Sequence, residues 1–307
     1  MRALVTGAGG MIGQKLVAHL QGGALGPLDA LVLHDLRAPD VPGAVTLGGD
    51  VGADAAALAA HRPDVVFHLA AVVSGEAEAD RPLGYRVNLD GTRALFEAFS
   101  GSGARMVYAS SGAVFGGPYP EVVPDDFAPR PLSSYGAQKL IGEVLLDDLA
   151  RRGLLDGVSL RLPTICVRPG APNRAASGFF SSIIREPLRG LPAILPVPRD
   201  VVHTVASPRS AVGFLLHAAA MDTAPMGPRR AVTLPGVAVS VQEMIDALTR
   251  AGGDVGLIEE RADPAVWAIV RTWPARFEAR AARDLGFAAE ADFDAIVRTH
   301  VEDELSP

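Results

Sequence analysis

The sequence predicts an α/β protein: a doubly wound parallel sheet with helices on both faces, followed by a smaller mixed α/β domain. Three observations predict it. Short apolar runs alternate with helical patterns through the first 165 residues. Those runs are continuous in Val and Leu rather than alternating with polar residues, which is how strands buried on both faces read. After residue 165 the rhythm changes, and Pro- and Gly-rich stretches separate shorter, less regular elements. Strand–helix alternation requires crossover connections, hence parallel strands covered by helices.

The strand candidates are 2–7 ("RALVTG"), 29–36, 44–50, 64–71, 105–111 and 158–164, with helices near 11–21, 53–61, 83–100 and 133–152. This defines a first domain over 1–165. The second is expected over 166–307, with later segments free to return to the first. Residues 168–178 read as a loop, 179–190 as a short helix and 201–207 as a strand. Residues 208–221 read as a helix opening on Pro208, whose fixed φ suits the first turn. A strand follows at 231–236. The helix at 240–253 has Ser240 as N-cap, Glu243 three residues on and glycine at its end. The last 45 residues look mostly helical.

At 307 residues, 49% hydrophobic and 6% aromatic, the chain can bury a sizeable core. A net charge of −7 with no basic run argues against nucleic acid as a partner. The single cysteine, Cys166, excludes an intramolecular disulfide and a four-cysteine zinc site. The seven histidines show no HxxxH spacing, so no metal is expected. A strand starting at Arg2 leaves no room for a signal peptide. No apolar stretch approaches the roughly 20 residues of a membrane span. A cytoplasmic chain without a membrane partner is therefore expected.

The stretch "LVTGAGGMIGQKL" (4–16) places Gly7, Gly9, Gly10 and Gly13 between a strand and a helix. In that setting glycines form a phosphate-binding turn: one permits the tight turn, one lets the backbone approach a pyrophosphate, one lets helix and strand pack closely. The spacing is Gly7-x-x-Gly10-x-x-Gly13; the GxGxxG form fails because Ile12 holds its sixth position. Asp35 ends the second strand candidate. A carboxylate there accepts hydrogen bonds from adenosine ribose hydroxyls and repels a 2′-phosphate, which favours NAD over NADP. Arg37 pulls the other way, since it could accommodate that phosphate. "HLAA" (68–71) closes the fourth strand with small residues that let the backbone lie against a cofactor.

"SSYGAQKL" (133–140) contains Tyr135-x-x-x-Lys139, a pair on one helix face. An ammonium beside a phenol stabilises the phenolate and lowers its pKa from about 10, which makes a general base near neutral pH. Alone, such a pair reads better as a solvated surface pair; its place after the fifth strand of a cofactor domain reverses that reading. The G-x-S-x-G elbow of a Ser-His-Asp hydrolase is absent.

The glycine spacing after Thr6, together with YxxxK, resembles the extended branch of the short-chain dehydrogenase/reductase superfamily. The resemblance implies a Rossmann-type fold and bound NAD. It puts Gly7, Gly10, Met11, Ile12 and Gly13 at the phosphates, Asp50 and Val51 at the adenine, and Leu69, Ala70 and Ala71 along the cofactor. Asn88 of "VNLDGT" becomes a structural residue of the cofactor site. Lys139 also reaches the nicotinamide ribose, and Pro163 and Thr164 bracket the nicotinamide ring. A Ser or Thr lies five residues before the glycine of a V-aromatic-G turn; Val114-Phe115-Gly116 places it at Ser111, with Ser110 as its rival. Ser111 would donate to the substrate oxygen.

"RLPTICVRPGAPNRAASGFFSSIIREPLRG" (161–190) and "HTVASPRSAVGFLLHAA" (203–219) are more individual. With them the whole chain resembles the D-erythronate dehydrogenase family. That implies NAD-dependent oxidation of the C2 hydroxyl of a small sugar acid, D-erythronate to 2-dehydro-D-erythronate. A carboxylate substrate needs donors and positive charge; Ser74, Ser111, Asn173, Ser177, Arg199 and Arg209 are the candidates. Arg174 and Ala175, and the pair His203-Thr204, depart from the pattern expected there. Cys166 reads as buried filler. The alternatives are a nucleotide-sugar epimerase or dehydratase that retains its NAD, and a uronate dehydrogenase. A non-catalytic NAD-sensing module fits poorly with intact Ser111, Tyr135 and Lys139. The resemblance also implies a homodimer through the helices near 83–100 and 133–152.

Overall fold

A computed structural model describes residues 1–170 and 176–305. Its first half runs β1 (Arg2–Thr6), α1 (Met11–Gln21), β2 (Ala30–Asp35), β3 (Val45–Gly48), α2 (Ala55–Ala60), β4 (Val65–His68), α3 (Ser74–Ala79), α4 (Arg81–Gly84), α5 (Thr92–Phe99), β5 (Arg105–Ser111), α6 (Ser134–Arg151) and β6 (Asp156–Leu162). Then follow β7 (Thr164–Ile165), α7 (Gly178–Leu188), β8 (Ala193–Leu195), β9 (Val202–Ala206), α8 (Pro208–Ala220), β10 (Ala231–Thr233), β11 (Val237–Ser240), α9 (Val241–Arg250), β12 (Ile258–Glu260), α10 (Pro264–Val270), α11 (Arg280–Asp284) and α12 (Phe293–Glu304).

The large sheet has the order β10-β6-β5-β4-β1-β2-β3. Strands β1 to β6 pair in parallel throughout. This is the doubly wound parallel sheet the sequence predicts. Chain direction across the sheet reverses between β1 and β4, the position where such sheets open a crevice at their carboxyl ends. Val65, Val66 and Phe67 of β4 are fully buried, as both-face burial requires. Leu4, Val32, Val66, Phe96, Met106 and Leu146 form one core; each such side chain contributes about 1.5–3 kcal/mol on burial.

The chain divides into two compact units, and they interleave in sequence. One comprises Met1–Val114, Pro131–Leu162 and Val212–Val232; the other Phe115–Arg130, Pro163–Ala211 and Thr233–Pro307. The second has its own core, including Phe180, Ile184, Leu195, Met244, Leu248 and Ile296. It carries a mixed sheet β11-β9-β7 and a two-stranded sheet β12-β8. The Ser240 capping box forms as predicted: Ser240 Oγ accepts from the Glu243 N–H, and Glu243 accepts from the Ser240 N–H.

The helix expected over 83–100 is not uniform. A wider π-type stretch, Tyr85–Gly91, lies between α4 and α5. Such stretches recur where a helix must turn a particular side chain inward; here that residue is Asn88, fully buried. Among the described residues no helix is long and apolar enough to cross a membrane.

Candidate active site

The glycine turn is built by close approach. Gly7 has φ +74°, and a Cβ there would lie 2.6 Å from the Ala70 nitrogen. The loop after β1 therefore runs directly against Leu69 and Ala70, two of the residues predicted to lie along a cofactor. A Cβ on Gly13 would collide with the Gly7 carbonyl oxygen and stand 2.8 Å from Ala8 Cα. Gly10 is the N-cap of α1 and brings no side chain of its own. The first-turn N–H groups of Met11, Ile12 and Gly13 thus remain for an anion, supported by the helix dipole.

Asp35 sits at the rim of this turn. Its Oδ2 accepts from the Gly9 N–H at 2.9 Å and its Oδ1 from the Leu36 N–H at 2.7 Å. Asp50 Oδ1 accepts from the Gly52 and Ala53 N–H groups, fixing the turn into α2. Val51 is buried in the sheet core. A cradle that any Cβ would fill, an uncapped helix N-terminus and a carboxylate at the end of β2 suit a dinucleotide carrying a free 2′-hydroxyl.

Beneath the turn lies a residue that the sequence reading passed over. His68, at the end of β4, bridges Thr6 Oγ1 (2.8 Å to Nδ1) and Thr92 Oγ1 (2.9 Å to Nε2). Thr92 donates its hydroxyl hydrogen to the Asn88 carbonyl, so it accepts from Nε2–H, and Nδ1 accepts from Thr6. Burial first, then the Lys139 charge and His34, draw the His68 pKa down to about 3. The ring is a neutral strut between β1, β4 and α5. A lone polar residue closing an apolar strand was the available signal. Asn88 completes the frame: its Oδ1 accepts from the Val72 N–H, and its Nδ2 donates to the Val72 carbonyl and to Gln138 Oε1.

Tyr135 and Lys139 share α6. Ser133 caps that helix by accepting from the Gly136 N–H. The helix rides close on β5 because Gly142 faces Tyr108, whose hydroxyl would lie 2.6 Å from an added Cβ. Lys139 is 1% exposed. Its Nζ donates to the Ala109 carbonyl at 2.8 Å and lies 4.8 Å and 5.8 Å from the ring centroids of Tyr108 and Tyr135. Burial lowers its pKa to about 7, against the opposing pull of the Glu143 carboxylate.

The two serines of β5 separate clearly. Ser110 is buried and donates to Glu143 Oε1 at 2.5 Å. Glu143 also takes a forked contact from Arg161, with Nη2 at 2.7 Å and Nε at 3.0 Å. Ser111 Oγ accepts from the Ala113 N–H at 3.1 Å, which leaves its own hydrogen to donate.

In the other unit Pro163 is buried, and Thr164 Oγ1 lies 2.7 Å from His203 Nε2. Ser177 precedes α7 without a side-chain cap bond. Asn173, with Arg174 and Ala175, lies outside the described residues. Ser74, in the first unit, is exposed at the first turn of α3. The two arginines expected to meet a carboxylate are held by the protein's own carboxylates. Arg199 donates to Glu260 and Gln242, and Arg209 to Glu302 and Asp303. Their partners stand far along the chain, so only the fold reveals the pairs. Cys166 is buried, and that burial pushes its thiol up to about 12, an inert filler.

The switch-point cradle and the tyrosine–lysine helix define a dinucleotide-binding α/β protein. The chain belongs to the NAD dependent epimerase/dehydratase family, whose profile matches residues 3–204. It is 45% identical over 324 aligned residues to a D-erythronate dehydrogenase of Cupriavidus necator, covering 99% of this chain and 98% of the relative. A D-erythronate dehydrogenase of Haemophilus influenzae is 37% identical over 98% of this chain and 99% of its own. A crystal structure from Agrobacterium tumefaciens, described as a nucleoside-diphosphate-sugar epimerase, superposes with TM-score 0.96 at 48% identity, over 99% of this chain and 94% of that one.

Proposed function

We propose that this chain is an NAD-dependent dehydrogenase acting on the C2 hydroxyl of a small sugar acid, with D-erythronate converted to 2-dehydro-D-erythronate. The observation that carries this reading is similarity over nearly the full length to two D-erythronate dehydrogenases. Ser111, Tyr135 and Lys139, all present in one unit, support it.

The glycine turn and Asp35 would hold NAD, which when bound supplies the acceptor for the C2 hydride. Tyr135 takes the proton from the C2 hydroxyl as general base. Ser111 donates its hydroxyl hydrogen to that same oxygen as the carbonyl forms. Lys139, anchored to the Ala109 carbonyl, holds positive charge beside the phenol and favours its ionised form. The neutral His68 and the amide of Asn88 keep the ends of β1 and β4 and the start of α6 in register. Arg199 and Arg209 each pair with carboxylates of the chain itself. Ser74, Asn173, Ser177, Arg199 and Arg209 are the candidates to meet the acid's carboxylate.

The test follows NADH absorbance with four- to six-carbon sugar acids, uronates included. D-erythronate is expected to give stoichiometric NADH. Tyr135→Phe is expected to lower kcat by about 100- to 10,000-fold while NAD still binds. Full activity in that variant removes Tyr135 from the mechanism. A second reading is favoured by the Agrobacterium structure's description: a nucleotide-sugar epimerase would turn over a UDP- or GDP-sugar without net NADH.

A further inference from the structure

Glu143 lies one turn beyond Lys139 on α6, so Tyr135, Lys139 and Glu143 form a single row at i, i+4 and i+8. The glutamate is 2% exposed. Its Oε1 accepts from Ser110 Oγ at 2.5 Å; Arg161 donates through Nη2 to Oε2 at 2.7 Å and through Nε to Oε1 at 3.0 Å. Ser110 and Arg161 are direct neighbours in the β5–β6 register. One carboxylate therefore fastens α6 to two strands at one level of the sheet, and all of these residues belong to one compact unit. On β5, Ser110 stands between two residues of the proposed chemistry: Ala109, whose carbonyl accepts from Lys139 Nζ at 2.8 Å, and Ser111. The lysine contact is a poor fastener by itself. Its ammonium ends a flexible four-carbon stem, and in the proposed reaction it also has the nicotinamide ribose to reach. The buried carboxylate has no such freedom. It is held by a guanidinium fork and a hydroxyl, and no water is at hand to replace a lost partner.

We propose that Glu143 is a positioning residue: by clamping Ser110 and Arg161 it sets the register of α6 against β5, and with it the placement of Tyr135 and Lys139 relative to Ser111. The inference rests on the dehydrogenase reading above and adds to it a residue that acts through other side chains. Ser110, the rival of Ser111 in the sequence, gains a role of its own, because its buried hydroxyl is committed to the helix. The effect belongs to the hydride step, since the glycine turn after β1 makes none of these bonds.

Two variants test it. Ser110→Ala removes the β5 arm alone and leaves the carboxylate paired with Arg161, so the unit is expected to stay folded. With D-erythronate its kcat is expected to fall by about 10- to 100-fold, as a small misplacement of reacting groups gives, while the KM for NAD stays that of the parent. C2-deuterated D-erythronate is expected to show an isotope effect on kcat at least as large as the parent's, because hydride transfer is the step slowed. Glu143→Leu with Arg161→Met removes both charges together and strands neither. This double variant is expected to keep near-parent stability in urea and to show the same fall in kcat. Parent-level kcat in either variant, a smaller isotope effect, or a loss carried by the KM for NAD alone overturns the inference and leaves the dehydrogenase reading standing. A parent enzyme that forms no NADH from any of the acids overturns that reading and the kinetic role with it. Amide hydrogen exchange then still reads the clamp: it is expected to quicken across 135–143 in Ser110→Ala, and unchanged exchange removes the clamp as well.

Discussion

Lys139 has a backbone carbonyl for a hydrogen-bond partner and almost no contact with water. Its charge is therefore held against desolvation, and the sign of the consequence follows. The unfolded chain keeps this proton to a pKa near 10.5, the folded chain only to about 7. Between those values the unfolded state binds more protons, so the group makes stability rise with pH across the window and penalises the fold fully below it. Lys139→Met removes the penalty. In NAD-free protein the variant is expected to be the more stable at pH 6.5, with the gap closing by pH 10. Parallel urea midpoints for the two proteins across that range would contradict the assignment. Sequence reasoning finds the pair Tyr135 and Lys139 through its spacing. It does not find that the ammonium is dry, because Ala109 and Tyr108 meet it only after β5 and α6 have packed.

At the level of elements, α6 is tied to the sheet by charge as well as by close packing. Glu143 is buried beneath it, holding Ser110 of β5 and Arg161 of β6. Removing one member of such a pair strands the other, at about 3–5 kcal/mol. Arg161→Met is expected to lose about that much in urea unfolding, and Glu143→Leu with Arg161→Met to recover most of it. Equal losses in the single and double variants would mean that packing, not charge, is what α6 needs. The inner strands of the large sheet were legible because burial on both faces leaves uninterrupted Val and Leu runs. Strands β7, β8, β11 and β12 were not: at two to four residues each they are too short to show a period. The π-type stretch was equally hidden, since its apolar spacing reads as an ordinary helix until Asn88 is seen reaching Val72 and Gln138.

At the level of the whole molecule, the change of rhythm at 165 predicts a first domain over 1–165 and a second beyond it, with later segments free to return; the two units interleave through 115–130 and 212–232. Those exchanges depend on long-range pairing, such as Val123 with Phe277 and the Arg105 guanidinium with the Ala218 and Met221 carbonyls. No local pattern encodes them. Self-association is more accessible to argument. On α6 the apolar side chains Ile141 and Val144 are 39% and 59% exposed, one turn apart. Along the stretch from the π-type turn into α5, exposed Arg86, Asp90, Arg93 and Glu97 alternate in sign. A two-fold axis sets such a row against its own reverse, so each cation meets an anion of the second copy while the apolar side chains meet each other. The resemblance-based expectation of a homodimer through these helices thus has a self-complementary surface to act on. Light scattering is expected to give twice the chain mass for the parent protein. Ile141→Lys with Val144→Lys is expected to give the single mass, because four ammonium groups would crowd the axis. A parent protein that scatters as one chain at every concentration, or a lysine variant that still pairs, would exclude this face as the contact.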